Sequence, residues 1–163
     1  MAEVSAANLY TIDTGILNKD ACVVIFRTEW NAAVVDELER GCVNQFRDWG
    51  FTNVKTVVVP GAFEIPFAVK QYWEKAAEKP AAAIALGCVL RGDTPHFDYV
   101  CKAVTDGVLQ LNLSLPIPVI FGILTVDNQQ QALERIGGKH GHKGQEAAIT
   151  AAKMMQLNNQ FGK

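Results

Sequence analysis

The sequence predicts an α/β fold in three layers, in which a four-stranded parallel sheet is flanked by helices on both faces. Short runs of apolar, mostly β-branched residues alternate along the chain with amphipathic segments whose apolar positions recur at helical spacing. The strand-like runs are apolar at consecutive positions, as expected for strands covered on both faces. Alternation of strands and helices favours parallel crossover connections. At 163 residues, the chain is long enough for one such domain.

Four strands are predicted, in chain order, at Cys22–Phe26, Val54–Val59, Ala82–Leu90 and Val119–Leu124. A polar arm over residues 1–20 precedes the first strand. Because no linker or repeat divides residues 21–163, these residues are expected to form a single domain.

The helices are predicted from periodicity and from residues that start or stop a helix. Thr94 and Pro95 are the expected N-cap and first helical residue of one helix. Asp127 with Gln130 has the spacing of a capping box at the start of another. The predicted helices are Asn31–Trp49, Ile65–Lys79, Pro95–Leu113, a segment from Asp127 that ends at Gly137-Gly138, and Gly144–Leu157.

Charge and composition exclude several classes of function. The 15 basic and 17 acidic residues give a formal net charge of −2 without a block of like charge, so the sequence predicts no nucleic-acid partner and no polybasic membrane-binding surface. The longest apolar stretch, residues 81–90, is too short to span a bilayer, and the first residues lack the pattern of a secretory signal. We therefore expect a cytoplasmic protein.

The cysteines are predicted to be free thiols. They are far apart in the sequence, form no C-x-x-C pair, and three of them lie in apolar runs. This pattern is typical of buried thiols rather than of disulfides or a zinc site. The four residues are Cys22, Cys42, Cys88 and Cys101.

A ligand is expected beyond the carboxyl ends of the strands, because open parallel sheets bind ligands at this edge. After the first strand, Trp30 could stack on a planar ligand or could pack against the helix that follows. After the second strand, Glu64 in the segment VPGAFEIP could accept hydrogen bonds from a ligand or could stabilise the first turn of a helix. Spacing alone leaves these alternatives open.

The third strand ends in the segment LGCVLRGDTPHFDYV, which turns directly into a helix. Backbone N–H groups at such a helix N-terminus favour an anion. His96 beside them could carry a proton to and from a reacting group, or could be an ordinary surface residue. Metal binding is not expected, because no ligand spacing connects His96 with His140 and His142.

A second candidate anion site lies in the segment ERIGGKHGHKGQEAA. Arg135, Lys139 and Lys143 stand among glycines and precede a helix, a combination that suits phosphate. A solvated charged loop is the alternative interpretation.

Taken together, these segments resemble the lumazine synthase family. EWN after the first strand, VPGAFEIP, GCVLRGDTPHFDYV and PVIFGILTVDNQQQALERIGGKHGHKG occur in the order and at the spacing of that family, over nearly all of the chain beyond residue 21. The resemblance implies a flavodoxin-like sheet. It also implies a transferase of riboflavin biosynthesis that condenses 5-amino-6-(D-ribitylamino)uracil with 3,4-dihydroxy-2-butanone 4-phosphate to 6,7-dimethyl-8-ribityllumazine, releases phosphate and water, and needs no cofactor or metal.

The resemblance further implies roles for individual residues. Trp30 resembles an aromatic residue that stacks on the pyrimidine, and His96 resembles the catalytic histidine that transfers protons. Asp93 departs from the small residue of many relatives, so only its backbone amide is expected to bind phosphate, with the carboxylate turned away or neutralised by Arg135. The other implied positions are Ala62, Phe63 and Glu64 for the ribityl chain, Cys88, Val89 and Leu90 for the uracil, Thr94, Arg135 and Lys143 for the phosphate, and Phe121 from the neighbouring subunit.

The high share of hydrophobic residues, 49% of the chain, predicts contacts between subunits. The resemblance implies homopentamers with a site between neighbours, and the compact loop over residues 137–144 favours an icosahedral shell of about 60 subunits over a free pentamer. Riboflavin synthase is a further candidate partner.

Two other functions stay open at this point. A non-catalytic protein that binds a lumazine or flavin would keep Trp30 and the Glu64 segment without proton transfer by His96. A thiol hydrolase could use Cys88 with His96, although no nucleophile-elbow pattern surrounds Cys88.

Overall fold

The computed structural model describes residues 10–162 and confirms the predicted four-stranded parallel sheet between helical layers. The strand order is β2-β1-β3-β4, and all three neighbouring pairs are parallel. The strands are β1 (Val23–Thr28), β2 (Val54–Val59), β3 (Ala82–Leu90) and β4 (Val119–Val126). β2 and β3 have the predicted bounds, and β1 and β4 each end two residues later than predicted. Residues 1–9 of the predicted arm lie outside the described residues.

The helices over residues 10–162 are α1 (Ala32–Asp48), α2 (Ile65–Lys75), α3 (His96–Ser114), α4 (Gln129–Leu133) and α5 (Lys143–Phe161). A short 3₁₀ helix, Ala62–Glu64, leads into α2. The prediction that α2 extends to Lys79 is wrong, because Ala76 takes an extended conformation and Pro80 disfavours helix at the residue before it.

The predicted start of α3 is wrong by one residue. The helix begins at His96 and has Pro95 at its N-cap, so Thr94 is not the N-cap. The Thr94 hydroxyl oxygen instead accepts a hydrogen bond from the His96 backbone N–H at 3.4 Å. Thr94 therefore still partners a backbone donor of the first turn.

The predicted cap of α4 is also wrong by one residue. Asn128, not Asp127, is the N-cap, and its side chain accepts a hydrogen bond from the Gln131 amide at 3.0 Å. The Gln131 side chain in return accepts one from the Asp127 amide at 2.8 Å. The cap that the sequence predicted at Asp127 thus lies one position further along, and the Gln131 side chain binds the amide before the N-cap residue rather than that of the N-cap itself.

The glycine-rich segment after α4 forms an antiparallel ribbon instead of continuing the helix. It comprises β5 (Ile136–Gly138) and β6 (Gly141–His142), and α5 starts directly after His142. Gly137 and Gly141 have φ values of 105° and 84°, which glycine adopts without the strain of a side chain. The prediction that α4 extends to Gly137-Gly138 is therefore wrong, and α5 starts one residue before Gly144 and ends four residues after Leu157.

Each face of the sheet carries its own hydrophobic core. One core joins Ile25 of β1 to α1 and α5, and the other joins Phe26 of the same strand to α2 and α3. β2 is an exception to the expectation that every strand is covered on both faces, because Lys55, Thr56 and Val58 are exposed on this edge strand. None of the helices within residues 10–162 has the length and apolar character needed to cross a membrane.

The four cysteines are free thiols, as predicted. Three of them are buried in the two cores, and Cys101 on α3 is half-buried.

Candidate active site

Trp30 and Glu64 converge above Gly61, where the ends of β1 and β2 meet. The Trp30 amide donates a hydrogen bond to the Pro60 carbonyl at 3.3 Å, which ties the two loops together. A Cβ placed on Gly61 would lie 3.0 Å from Glu64 Oε2 and 3.5 Å from Trp30 Cδ1. Trp30 is 72% exposed, so it does not pack against the following helix as the alternative interpretation required. Its ring is free to stack on a planar ligand.

The segment after β2 combines one anchored residue with two exposed ones. Ala62 is buried in the core between the sheet and α2, whereas Phe63 and Glu64 are exposed. The 3₁₀ helix therefore presents an aromatic ring and a carboxylate to solvent from a fixed base. A carboxylate in this position can accept hydrogen bonds from hydroxyl groups.

Asn31 ties the loop after β1 to the end of β3. Its side-chain Nδ2 donates a hydrogen bond to the Cys88 carbonyl at 2.8 Å, and its backbone takes the left-handed conformation at φ 58° and ψ 43°. Asparagine tolerates this conformation better than most residues. The sequence interpretation did not single out Asn31 as a site residue, although asparagine directly before a helix is a recognisable signal.

A groove of about 240 Å³ lies between the end of β3, the start of α1 and α4. Cys88 and Leu90 line it from β3, and Val89 between them is half-buried. Burial raises the pKa of the Cys88 thiol to about 11, so this thiol is protonated near neutral pH and is a poor nucleophile. Within residues 10–162 no hydrogen bond joins Cys88 to His96. These features disfavour the thiol hydrolase.

The turn between β3 and α3 is held by Arg91. Its Nε lies 2.7 Å from Asp127 Oδ1 after β4, and its Nη1 lies 3.4 Å from Asp98 Oδ1 on α3. The guanidinium also stacks over the Phe97 ring at 4.1 Å. The sequence interpretation missed this clamp, because the two carboxylates are brought to Arg91 by the sheet and not by sequence spacing.

The turn that Arg91 holds presents three of the predicted site residues. Asp93, Thr94 and His96 are all exposed at or just before the N-terminus of α3. This arrangement places an imidazole beside backbone amides that can receive an anion.

Arg135 and Lys143 meet at a shared carboxylate, that of Glu146. Glu146 Oε2 lies 3.1 Å from Arg135 Nη2 and 3.6 Å from Lys143 Nζ, and the Glu146 side chain is only 14% exposed. The Lys143 amide also donates a hydrogen bond to the Arg135 carbonyl at 2.8 Å. Glu146 was missed in the sequence interpretation, although its position three residues after Lys143 on a helix predicts an ion pair.

Of the two alternatives for the Asp93 carboxylate, turned away or neutralised by Arg135, the structure does not show the second. Arg135 pairs with Glu146 and donates a hydrogen bond to the His140 carbonyl. Within the described part of the chain, Asp93 is exposed and forms no ion pair.

Phe121 lies on the outer edge of the sheet, away from the strand ends. It pairs with Ala85, three residues before Cys88 on β3, which corresponds to about 10 Å along the strand. Phe121 and Lys143 line a groove of about 330 Å³ along β4, between α3 and α5. This groove shares no lining residue with the groove at Cys88.

The predicted site residues therefore fall into two groups. No hydrogen bond or ion pair of residues 10–162 joins a member of one group to a member of the other. The strand-end group comprises Trp30, Ala62, Phe63, Glu64, Cys88, Val89, Leu90, Asp93, Thr94 and His96, and the edge group comprises Phe121, Arg135 and Lys143.

Comparison with known proteins identifies the family of the chain. A sequence profile described as 6,7-dimethyl-8-ribityllumazine synthase matches residues 20–159, a span that includes every predicted site residue. The 6,7-dimethyl-8-ribityllumazine synthase of Porphyromonas gingivalis is 44% identical over 150 residues, which cover 91% of this chain and 92% of that protein.

Two further relatives carry the same name. The protein from Parabacteroides distasonis is 48% identical over 132 residues, covering 80% of this chain and 81% of the relative. The protein from Bacteroides fragilis is 47% identical over 132 residues, covering 80% and 91%. The chain belongs to the 6,7-dimethyl-8-ribityllumazine synthase family.

Proposed function

We propose that this chain catalyses the condensation of 5-amino-6-(D-ribitylamino)uracil with 3,4-dihydroxy-2-butanone 4-phosphate to 6,7-dimethyl-8-ribityllumazine, as a transferase of riboflavin biosynthesis. The observation that carries the proposal is the family match over residues 20–159, which spans both the strand-end group and the edge group. The exposed, converging side chains at the strand ends support it independently.

The strand-end group is proposed to bind the pyrimidine substrate. Trp30 stacks on the pyrimidine ring, which suits its 72% exposure. Ala62, Phe63 and Glu64 hold the ribityl chain, with the Glu64 carboxylate accepting hydrogen bonds from its hydroxyl groups. The end of β3, at Cys88, Val89 and Leu90, lies along the uracil and provides one wall of the groove.

The phosphate of the second substrate is proposed to bind between two elements. The backbone amides of Asp93 and Thr94 provide neutral donors at the start of α3. Arg135 and Lys143 provide charge-assisted hydrogen bonds from the ribbon and α5. Their pairing with Glu146 fixes both cations before the phosphate arrives, and one net positive charge remains in this cluster to attract it.

The proposed chemistry requires proton transfer and positioning. An amine of the pyrimidine attacks the ketone, water leaves, and an imine forms. A proton is then removed from the hydroxyl-bearing carbon as phosphate departs, and the enol that results tautomerises to a new ketone. The second amine attacks this ketone to close the ring with loss of another water. His96 accepts and returns protons in these steps, a contribution of about 10²–10⁴-fold. Holding both substrates in one site removes much of the entropic cost of their encounter.

The site is proposed to be completed by a neighbouring chain that supplies Phe121, within a homopentamer and an icosahedral shell of about 60 subunits. Exposed apolar side chains on α2 and α3 support subunit contacts, with Phe67 71% and Leu113 80% exposed. Riboflavin synthase remains the proposed protein partner. The four free thiols suit a proposed location in the reducing cytoplasm.

A turnover assay tests the proposed activity. Both substrates are mixed with the purified protein, and the absorbance of the lumazine product is followed against the same mixture without protein. We expect product to form well above the uncatalysed background. Formation at the background rate would refute the activity, and tight binding of added lumazine in that case would indicate the non-catalytic alternative.

A further inference from the structure

His142 occupies a junction between the ribbon, α5 and α1. It is the N-cap of α5, and its Nδ1 accepts a hydrogen bond from the Gln145 amide at 3.4 Å. The ring also lies directly against Gly41 of α1. A Cβ placed on Gly41 would lie 2.1 Å from Cε1 of His142, closer than any side chain permits. The imidazole therefore fills a space that exists only because residue 41 is glycine.

The backbone at His142 connects the two cations of the edge group. Across the ribbon, His142 pairs with Ile136, the residue that follows Arg135. Along the chain, His142 is followed by Lys143. The 2.8 Å hydrogen bond from the Lys143 amide to the Arg135 carbonyl closes this arrangement. A displacement of His142 would consequently move the backbone that carries both cations around Glu146.

The charged groups that face His142 come from two helices. Glu37 and Arg40 face it from α1, and Glu146 faces it from α5, whereas the ribbon strand opposite carries only Ile136, Gly137 and Gly138. Burial lowers the pKa of His142 below its ordinary value, Arg40 lowers it further, and the two carboxylates oppose the shift. His142 is accordingly neutral near neutral pH and gains its proton on acidification.

Protonation of His142 removes the hydrogen bond that its neutral ring accepts at the start of α5. A protonated Nδ1 cannot accept the Gln145 N–H bond. A positive charge at a helix N-terminus is also disfavoured by the helix dipole. The first turn of α5 and the ribbon lose their common anchor in the protonated state.

We propose that neutral His142, seated on Gly41, is a positioning residue that holds Arg135 and Lys143 around Glu146 for the phosphate of the substrate, and that its protonation weakens this hold. The inference rests on the proposed phosphate-binding role of Arg135 and Lys143. It adds a residue that acts through the backbone of Arg135 and Lys143 and sets how strongly the phosphate binds in acid.

The test compares the wild type with His142→Asn. Asparagine is a strong N-cap that does not titrate. KM for the butanone phosphate is measured for both proteins between about pH 5 and pH 8, the range in which histidine titrates. The KM of the wild type is divided by the KM of His142→Asn at each pH. This ratio cancels the titration of the substrate phosphate and of His96, which is the same in both proteins. We expect a constant ratio above neutral pH and a rise of about 3–10-fold toward pH 5, the size of one N-cap interaction. The corresponding ratio for the pyrimidine substrate stays constant.

His140→Asn is the matched control, because it removes an imidazole from the same ribbon without touching the cap. It is expected to keep the pH dependence of the wild type. A ratio for His142→Asn that is constant at every pH would overturn the inference, even where Arg135→Ala raises KM for the butanone phosphate. An Arg135→Ala protein with unchanged KM would instead refute the phosphate-binding role itself.

A double-mutant cycle tests the contact with Gly41 without an activity assay. Alanine favours helix more than glycine does, so Gly41→Ala would raise the midpoint of thermal unfolding if the space were free. Because the imidazole occupies this space, Gly41→Ala should lower the midpoint in the wild-type background. In the His142→Ala background, the same substitution should lower the midpoint less or raise it. Equal effects of Gly41→Ala in both backgrounds would overturn the inference.

Discussion

The strand-end group and the edge group are built by different physical means. The strand-end group follows from the parallel sheet, because regular backbone hydrogen bonds bring the ends of β1, β2 and β3 to one edge. The edge group depends on a short ribbon, a side-chain cap and ion pairs to one partly buried carboxylate. Side chains hold the edge group, so we expect single substitutions and pH to perturb it more readily than the strand-end group.

The largest expected effect is that of His96→Ala on turnover. Loss of proton transfer should slow lumazine formation by about 10–1000-fold, because positioning of the substrates survives. His96 is exposed at the start of α3, so the circular dichroism spectrum should be unchanged. Turnover at the wild-type rate would remove His96 from the mechanism.

Arg135→Ala should weaken the binding of one substrate only, the butanone phosphate. A charge-assisted hydrogen bond is worth about 1.5–3 kcal/mol, so KM for the butanone phosphate should rise about 10–100-fold. KM for the pyrimidine should be unchanged. Lys75→Ala, at an exposed lysine in the last turn of α2, is the control and should alter neither value. Equal losses for both substrates would indicate that Arg135 is structural.

Substitution of one glycine beside each group should affect the free energy of unfolding differently. A Cβ on Gly144, in the first turn of α5, would lie 2.0 Å from the Leu38 carbonyl oxygen of α1. Gly144→Ala should therefore lower the free energy of unfolding by about 1–3 kcal/mol. A Cβ on Gly92, in the turn before His96, meets nothing within 4 Å, so Gly92→Ala should change stability by less than about 0.5 kcal/mol. Denaturant unfolding measures both, and equal effects would contradict the contrast.

The smallest expected effect is that of modifying Cys88. With a pKa of about 11, this thiol is ionised in about one molecule in 10⁴ at pH 7. Alkylation of Cys88 should consequently be slow at neutral pH and accelerate as the pH rises toward 11. Cys88→Ala should retain lumazine synthesis within about threefold, since no step uses the thiol. Abolished turnover in this variant would revive the thiol mechanism.

The positions of the strand-end residues could be predicted from the sequence, because the bounds of the strands follow from runs of apolar residues. β2 and β3 have the predicted bounds, and Trp30, Glu64 and His96 follow the strands as expected. For the edge group, the sequence predicted which residues belong to the site but not the contacts between them. The pair of Lys143 with Glu146 could have been predicted from helical spacing. The pair of Arg135 with Glu146 could not, because the ribbon that brings Arg135 beside α5 depends on two glycines with positive φ.

Helix starts were less predictable than strands, because they depend on contacts that only the fold determines. Asp127 and Asn128 are both good N-caps, and only the fold decides which of them accepts the bond from the first turn. Asn31 was overlooked because its partner, the Cys88 carbonyl, is 57 residues away in the chain.

The central claim, that Phe121 of a neighbouring chain completes the site of the strand-end group, is tested most directly by mixing defective chains. A His96→Ala chain and a Phe121→Ala chain are co-expressed, and turnover per chain is compared with the mean of the two separate proteins. Random assembly gives both intact residues at about a quarter of the shared sites, so activity should exceed that mean. Activity equal to the mean, or light scattering that reveals an active monomer, would contradict a shared site.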